Sequence, residues 1–355
     1  MTRCISDTHW NGLWQSIRPA YAGRGLEHEC VEQIGRRDLV AASYYLGSAE
    51  PISVNIVTGF FLPRFGYWET DGPMGAVLLA ACLWAGGHCV QLITESGLAP
   101  VLQRVLAAQK VPVRVMVWPD DSTRSLAEPP ISAPTGQQVH FRQQTTIWPG
   151  TGESIECSPR PMCWIAVERP GPAYTPRHFG QRWPKLLPTF LAQVPSHDWD
   201  RYHDMSGNDV TAYHYPTHRF FEGAKSATIG IGDGGNEIGM GKLAWAFLAE
   251  HVRHGERIAC RVPTDWMIPA SVSNWGAYAL AAAVCCLREV RDYFLAWAEP
   301  QHQKQLWREV IELMPLCDGV TGRPANQNGD LWIDGRPWNE HAAVLDDLRA
   351  WVRSA

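Results

Sequence analysis

A chain of 355 residues with 45% apolar and 19% charged side chains has the composition of a soluble globular protein, with volume for one large domain or two ordinary ones. Its net charge of −5, with no basic block, excludes an electrostatic surface for nucleic acid. Its most apolar runs, residues 75–87 and 275–287, are too short to span a bilayer, which argues against a membrane protein.

The 17 tryptophans are expected in the core or at subunit contacts, and a homo-oligomer is one expected partner state. The ten cysteines show no C-x-x-C spacing. With no signal peptide at the N-terminus, they read as reduced, mostly buried thiols of a cytoplasmic protein.

Residues 1–50 read as a helical segment packed on the core, with Trp10, Leu13, Trp14 and Ile17 at helical spacing. Gly23-Arg24-Gly25 breaks it, with Arg24 either reaching a ligand or, as the favoured reading, a solvated loop arginine, and a second helix is expected over 26–46. The α/β part, 51–355, opens with a β-branched strand at 53–61. A loop, 65–75, leads into a helix at 76–85; a strand at 88–94, a helix at 99–108 and a strand at 111–118 follow. Strands alternating with ten-residue helices imply a Rossmann-like, mostly parallel sheet flanked by helices. Residues 119–160, rich in Pro, Ser, Thr, Gly and Gln, read as a surface insertion with a short hairpin around 138–148. A strand at 162–167 runs into Glu168-Arg169-Pro170-Gly171. A second insertion, 173–203, carries one short helix near 184–192, and residues 204–211 read as a turn.

Residues 227–242, Ala-Thr-Ile-Gly-Ile-Gly-Asp-Gly-Gly-Asn-Glu-Ile-Gly-Met-Gly-Lys, read as a buried strand, a glycine loop and the start of a helix. Such a loop offers backbone N–H groups to a ligand at the positive end of a helix dipole. Its acids, Asp233 and Glu237, repel a bare phosphate, and a bound cation removes that conflict. Gly230, Gly232 and Gly235 also satisfy G-x-G-x-x-G, with an expected strand at 257–262 and Asp265 beyond it. The acid comes about ten residues later than the usual ~20 of a dinucleotide fold, so the match is weak. A third reading makes Asp233 or Asn236 a simple helix cap. Downstream, a long Ala-rich helix opens near Asn274, which either faces the crevice or caps. Helices are expected at 288–298 and 302–313, a turn at Cys317-Asp318-Gly319, a hairpin or turn at 331–337, and an amphipathic helix over 340–353.

In an open parallel sheet, Glu69-Thr-Asp71-Gly72, Glu168 and Asp233-Gly-Gly-Asn236-Glu237 all leave carboxyl ends of strands, where ligand crevices form. Converging carboxylates need protons or a cation, and an all-oxygen set favours Mg²⁺ or Mn²⁺ over Zn²⁺; the alternative is a separate capping role for each acid. No nucleophile motif is present, and His203, His214 and His218 read as surface or core histidines.

Five strings occur in order: Val-Thr-Gly-Phe (57–60), Glu-Thr-Asp-Gly-Pro-Met-Gly (69–75), Glu-Arg-Pro-Gly (168–171), Ile-Gly-Asp-Gly-Gly-Asn-Glu-Ile-Gly-Met-Gly-Lys (231–242) and Val-Ser-Asn-Trp-Gly-Ala-Tyr-Ala-Leu (272–280). Together they resemble the C-terminal domain of the D-glutamate cyclase family, from about residue 20 to the C-terminus. The resemblance implies a Rossmann-like domain that converts D-glutamate, a small acidic metabolite, to 5-oxo-D-proline and water with a divalent metal, Mn²⁺ or Mg²⁺, and no nicotinamide. For that chemistry, residue type and loop position assign Asp71, Asp233 and Glu237 as metal ligands and Glu69, Glu168 and Asn236 as catalytic groups. Thr58, Gly72, Arg169, Gly234, Gly235 and Asn274 are then the substrate-binding positions. The family enzyme of animals has a further N-terminal domain, so a separate chain supplying it is an expected partner. Two departures bear on substrate: the link from Gly171 to Asp204 is longer than the family's, and Ser206 stands where a larger, often basic residue is expected. A Mn²⁺-dependent phosphohydrolase using the same acids is the rival activity, and a non-catalytic metabolite-binding domain is the third reading.

Overall fold

The computed structural model describes residues 5–19, 23–48, 50–118, 146–147, 154–155, 162–327 and 330–355. Two helices come first, α1 (Asp7–Ile17) and α2 (Glu29–Ser48). The Ser6 hydroxyl caps α1, and Trp10, Leu13, Trp14 and Ile17 form its buried face, as their spacing predicts. Both helices pack on the main core.

The strand β1 (Ser53–Thr58) ends earlier than predicted, because Gly59 turns the chain at φ 115°. Phe61 then starts a second, small sheet, β2 (Phe61–Leu62) antiparallel to β3 (Tyr67–Glu69). The helix α3 (Pro73–Ala85) is buried along nearly its whole length. After it come β4 (Cys89–Thr94), α4 (Ala99–Ala108) and β5 (Arg114–Val117). The hairpin expected at 138–148 lies mostly outside the described residues; β6 (Thr146–Ile147) pairs with β7 (Ser154–Ile155). Next are β8 (Met162–Val167) and two short helices, α5 (Pro176–Arg182) and α6 (Leu187–Gln193). The strand β9 (Ala227–Gly232) precedes α7 (Trp245–His251) and the one-turn α8 (Gly255–Ile258).

The strand expected at 257–262 is absent. Cys260 and Arg261 instead donate their N–H groups to Gly235 O and Pro172 O, at 3.0 and 2.9 Å, so the segment braces the glycine loop. The last strand of the sheet is β10 (Trp266–Pro269), which leads into α9 (Ser273–Leu287). The chain closes with α10 (Arg291–Trp297), α11 (Pro300–Leu313), β11 (Leu316–Cys317), β12 (Asn326–Gln327), β13 (Asp330–Ile333), β14 (Arg336–Pro337) and α12 (Trp338–Ser354). β13 and β14 form the expected hairpin, and β11 joins β3 in the small sheet.

The main sheet is six parallel strands in the order β10–β9–β8–β1–β4–β5. Counted along the chain from the β5 edge this is 3-2-1-4-5-6, the doubly wound order whose direction reverses between β1 and β8. Alternate side chains enter two cores, as a pleated strand requires. Ile165 and Val167 join α3 and α9, whereas Trp164 and Ala166 face the helices after β8. Seven described cysteines are free, as expected, but Cys89 is disulfide-bonded. No helix among the described residues is long and apolar enough to cross a membrane.

Under the closing hairpin, His341 accepts from Trp275 Nε1 at 2.9 Å while its other ring nitrogen faces Ile333 O at 3.1 Å. Burial, first of all, holds this imidazole neutral and lowers its pKa to about 4. The unfolded chain therefore takes up the proton first, and stability is lost as pH falls from about 6.5. The expected result is a shallower loss of stability from pH 6.5 to 4 in His341→Gln than in the parent, read from urea midpoints. Equal pH slopes would show that His341 titrates alike in both states.

Candidate active site

The loop after β9 is shaped by contact of the chain with itself. A Cβ on Gly230 would run into Ile238 O and Gly239, and Gly239 holds φ 108°, so these glycines are required for close backbone approach. The N–H groups of Asp233, Gly234 and Gly235 do not await an anion. They donate to the Glu237 carboxylate at 3.3, 2.8 and 2.8 Å, so the chain supplies its own. The helix that follows does not open from the loop either, because α7 begins only at Trp245. Asp265, the acid of the dinucleotide reading, accepts from Thr228 N and Oγ1 at 2.8 and 2.9 Å. That is the start of β9, at the opposite end of the sheet from the glycine loop.

The acids from the other two loops meet this one. Asp71 accepts from the N–H groups of Ser273 and Asn274 at 2.7 and 2.8 Å, capping α9 from outside that helix. Asn274 returns the contact: its Oδ1 accepts from Gly72 N and Gly75 N at 3.1 and 2.6 Å, and its Nδ2 donates to Thr70 O. Its amide is a clamp between α9 and the Asp71 loop. Glu168 sits just past β8 at φ 44°, a left-handed conformation uncommon for such a residue, and accepts from the Ser273 hydroxyl at 2.5 Å. Glu69 ends β3, with its carboxylate packed on Gly319.

Two further members join the cluster: Asp334, which the sequence reading missed, and Arg24, for which it favoured a solvated loop over a ligand contact. Arg24 is largely covered, its side chain 14% exposed, and its guanidinium makes ion pairs with Asp233 Oδ1 and Asp334 Oδ1. Asp334 occupies the tight turn between β13 and β14 at φ 53°, beside Gly335. Asp318 fixes that turn by accepting from Gly335 N at 2.5 Å, while its other oxygen accepts from Val320 N, Thr321 N and the Thr321 hydroxyl. Of the expected substrate positions, Arg169 stands apart. Its donors go to Glu95, Thr217 Oγ1, Gly59 O and Tyr215 O. Thr58 does lie beside Gly72, and its buried hydroxyl has no partner.

The family description "D-glutamate cyclase-like, C-terminal" matches residues 16–180 and 196–349. The chain belongs to the D-glutamate cyclase-like family. It is 31% identical over 348 residues to a human protein named D-glutamate cyclase, mitochondrial. The alignment covers 92% of this chain and 49% of the human protein, so the chain spans about half the length of that relative.

In this member of the family, carboxylate oxygens of Asp71, Asp233 and Asp334 lie within 4.8 Å of one another, as do those of Glu168, Asp233 and Glu237. Asp233 belongs to both trios. Burial, then the neighbouring carboxylates, holds Glu69, Asp71 and Glu168 well above the usual carboxylate range. Asp334 is raised too, by burial first and despite Arg24. Glu237 is pushed up to about 7, by burial and then Asp233, against the pull of its N–H donors. Burial opposes the Arg24 charge, but Asp233 and Asp334 outweigh it, so the guanidinium holds its proton more tightly than usual. Two acceptors in the cluster, Asp233 Oδ2 and Asn236 Oδ1, are buried without a partner. Buried orphan acceptors in an all-oxygen set fit a hard divalent cation of the Mg²⁺ or Mn²⁺ type.

Proposed function

We propose that this chain cyclises D-glutamate to 5-oxo-D-proline and water, with a divalent cation, Mn²⁺ or Mg²⁺, held by Asp71, Asp233, Glu237 and Asp334. The observation that carries the reading is the meeting of these acids at the switch point of the sheet, in a chain of the D-glutamate cyclase-like family. When bound, the cation supplies Lewis-acid polarisation of the substrate's γ-carboxylate.

In the reaction the amine nitrogen bonds to the carbon of the γ-carboxylate (Cδ), one oxygen of that carboxylate leaves as water, and the ammonium gives up two protons. Glu69 and Glu168, both raised toward neutrality by burial and neighbouring charge, suit the exchange of those protons. The Ser273 hydroxyl on Glu168 Oε2 leaves the other oxygen of that carboxylate to act. Asn236, with its free Oδ1, suits orientation of the ammonium. Enclosure of a curled substrate supplies the proximity term.

A second reading draws on the two trios that share Asp233, an arrangement suited to a pair of cations activating water on a phosphate ester. The deciding experiment incubates metal-stripped protein with D-glutamate, with and without Mn²⁺, and follows 5-oxoproline by proton NMR. Mn²⁺-dependent product is expected. Hydrolysis of phosphate esters without cyclisation would establish the second reading. Mn²⁺ and glutamate binding without turnover would leave a metabolite-binding domain, or a cyclase that needs a separate chain for the other half of the human relative's length.

A further inference from the structure

Arg24 is the one guanidinium among the described residues that contacts the acidic cluster, and it reaches there from outside the α/β core. It lies on the loop between α1 and α2, flanked by Gly23 at φ 61° and Gly25 at φ 89°. Its two terminal nitrogens go to different acids, Asp233 and Asp334. Both belong to the trio Asp71, Asp233 and Asp334, which fits a cation. The guanidinium therefore holds two of the three acids a metal would use, while Asp233 Oδ2 stays without a partner. A dication entering this trio meets a like charge already bonded to its ligands, and two such cations repel strongly in a buried site. An acid substrate has the reverse difficulty, since it must enter a pocket lined with carboxylates. One exchange resolves both. If the metal takes the aspartates, Arg24 is released with its forked donors free, the geometry that recognises a carboxylate.

We propose that Arg24 is the exchangeable cation of this site, displaced from Asp233 and Asp334 by the divalent metal and thereby freed to hold the carboxylate of the acid substrate. Arg24 is thus the residue that makes acid binding wait for metal. The second half rests on the cyclase reading; the exchange itself does not.

The test is calorimetric, on the metal-stripped full chain and on Arg24→Gln and Arg24→Lys. Mn²⁺ is titrated first, then glutarate, a dicarboxylate lacking the reacting amine. In the parent, glutarate is expected to bind only after Mn²⁺. Arg24→Gln is expected to bind Mn²⁺ at least about tenfold more tightly and glutarate at least about tenfold more weakly, with Arg24→Lys between. Unchanged or weaker Mn²⁺ binding by Arg24→Gln would overturn the exchange. Tighter Mn²⁺ with unchanged glutarate would overturn the carboxylate role. A parent that binds Mn²⁺ but neither glutarate nor glutamate would sink the cyclase reading and leave the exchange to the Mn²⁺ result alone. Thermal melts guard against misfolding: Arg24→Gln should melt lower without metal and recover with Mn²⁺, and a variant that Mn²⁺ cannot restore counts against the proposal.

Discussion

Asp233→Asn is expected to weaken Mn²⁺ binding about a thousandfold and to remove detectable cyclisation of D-glutamate. The substitution keeps the side chain's size and removes one charge at the point where both carboxylate trios overlap. A unit charge about 4 Å from a partner is worth about 4 kcal/mol at the effective dielectric of such sites, and every ~1.4 kcal/mol is tenfold in affinity. Asp233 also has the orphan acceptor, Oδ2, so no other hydrogen bond compensates for its loss. Arg24 would keep Asp334 alone, which sets this variant apart from Arg24→Gln: one removes a ligand, the other a competitor. Asp346→Asn, on the exposed face of α12 where Asp346 pairs with Arg349, is the control. Calorimetry with Mn²⁺ and proton NMR of product check both variants. If Asp233→Asn held Mn²⁺ as tightly as the control, the metal would lie elsewhere and the cluster would be a structural network.

The parts of this site that the sequence announces are those carried on single loops. Glu168 and Asp233 leave the apolar strands β8 and β9, so their meeting follows once the strands are ordered in a parallel sheet, whereas Glu69 and Asp71 follow β3 of the small sheet, which the sequence reading did not foresee. Arg24 and Asp334 lie 310 residues apart in sequence, each beside glycine, where arginine and aspartate are also ordinary loop residues. Only the packing of the first loop and the last hairpin against the sheet edge joins them. The glycine loop was legible as a site but not in its workings. A nest of N–H groups can face a ligand or its own chain, and Glu237, two residues past Gly235, takes it here. Residues 257–262 mislead for a related reason. Ile258, Cys260 and Val262 alternate like a strand, but their neighbours are the glycine loop and Pro172 rather than β9. Asn274 fell between two readings, crevice and cap, and the structure makes its amide a clamp on Gly72 and Gly75.

That clamp leads to the largest expected effect on the scaffold, Gly72→Ala. Gly72 precedes α3 at φ 96° and ψ −57°, a conformation that L side chains rarely adopt. An added Cβ would lie 2.6 Å from the Cβ of Glu168 and 3.1 Å from Thr58 Oγ1. Neither neighbour can yield freely. Glu168 already holds a positive φ and is tied through Ser273 to the N-terminus of α9, and Thr58 ends the central strand β1. Strained backbone and overpacking each cost roughly 1–3 kcal/mol, so Gly72→Ala should lose about 3 kcal/mol or more of stability. The same shift would part Asp71 from Glu168 and weaken Mn²⁺ binding in whatever protein folds. Gly66→Ala isolates the two causes. Gly66 has φ 76° but no atom within 4 Å of an added Cβ, so it carries backbone strain alone, about 1–2 kcal/mol. Urea midpoints and Mn²⁺ titrations on the two variants give the comparison. If Gly72→Ala matched Gly66→Ala in both, the close packing of Gly72 on Glu168 would not be what sets the acids in place.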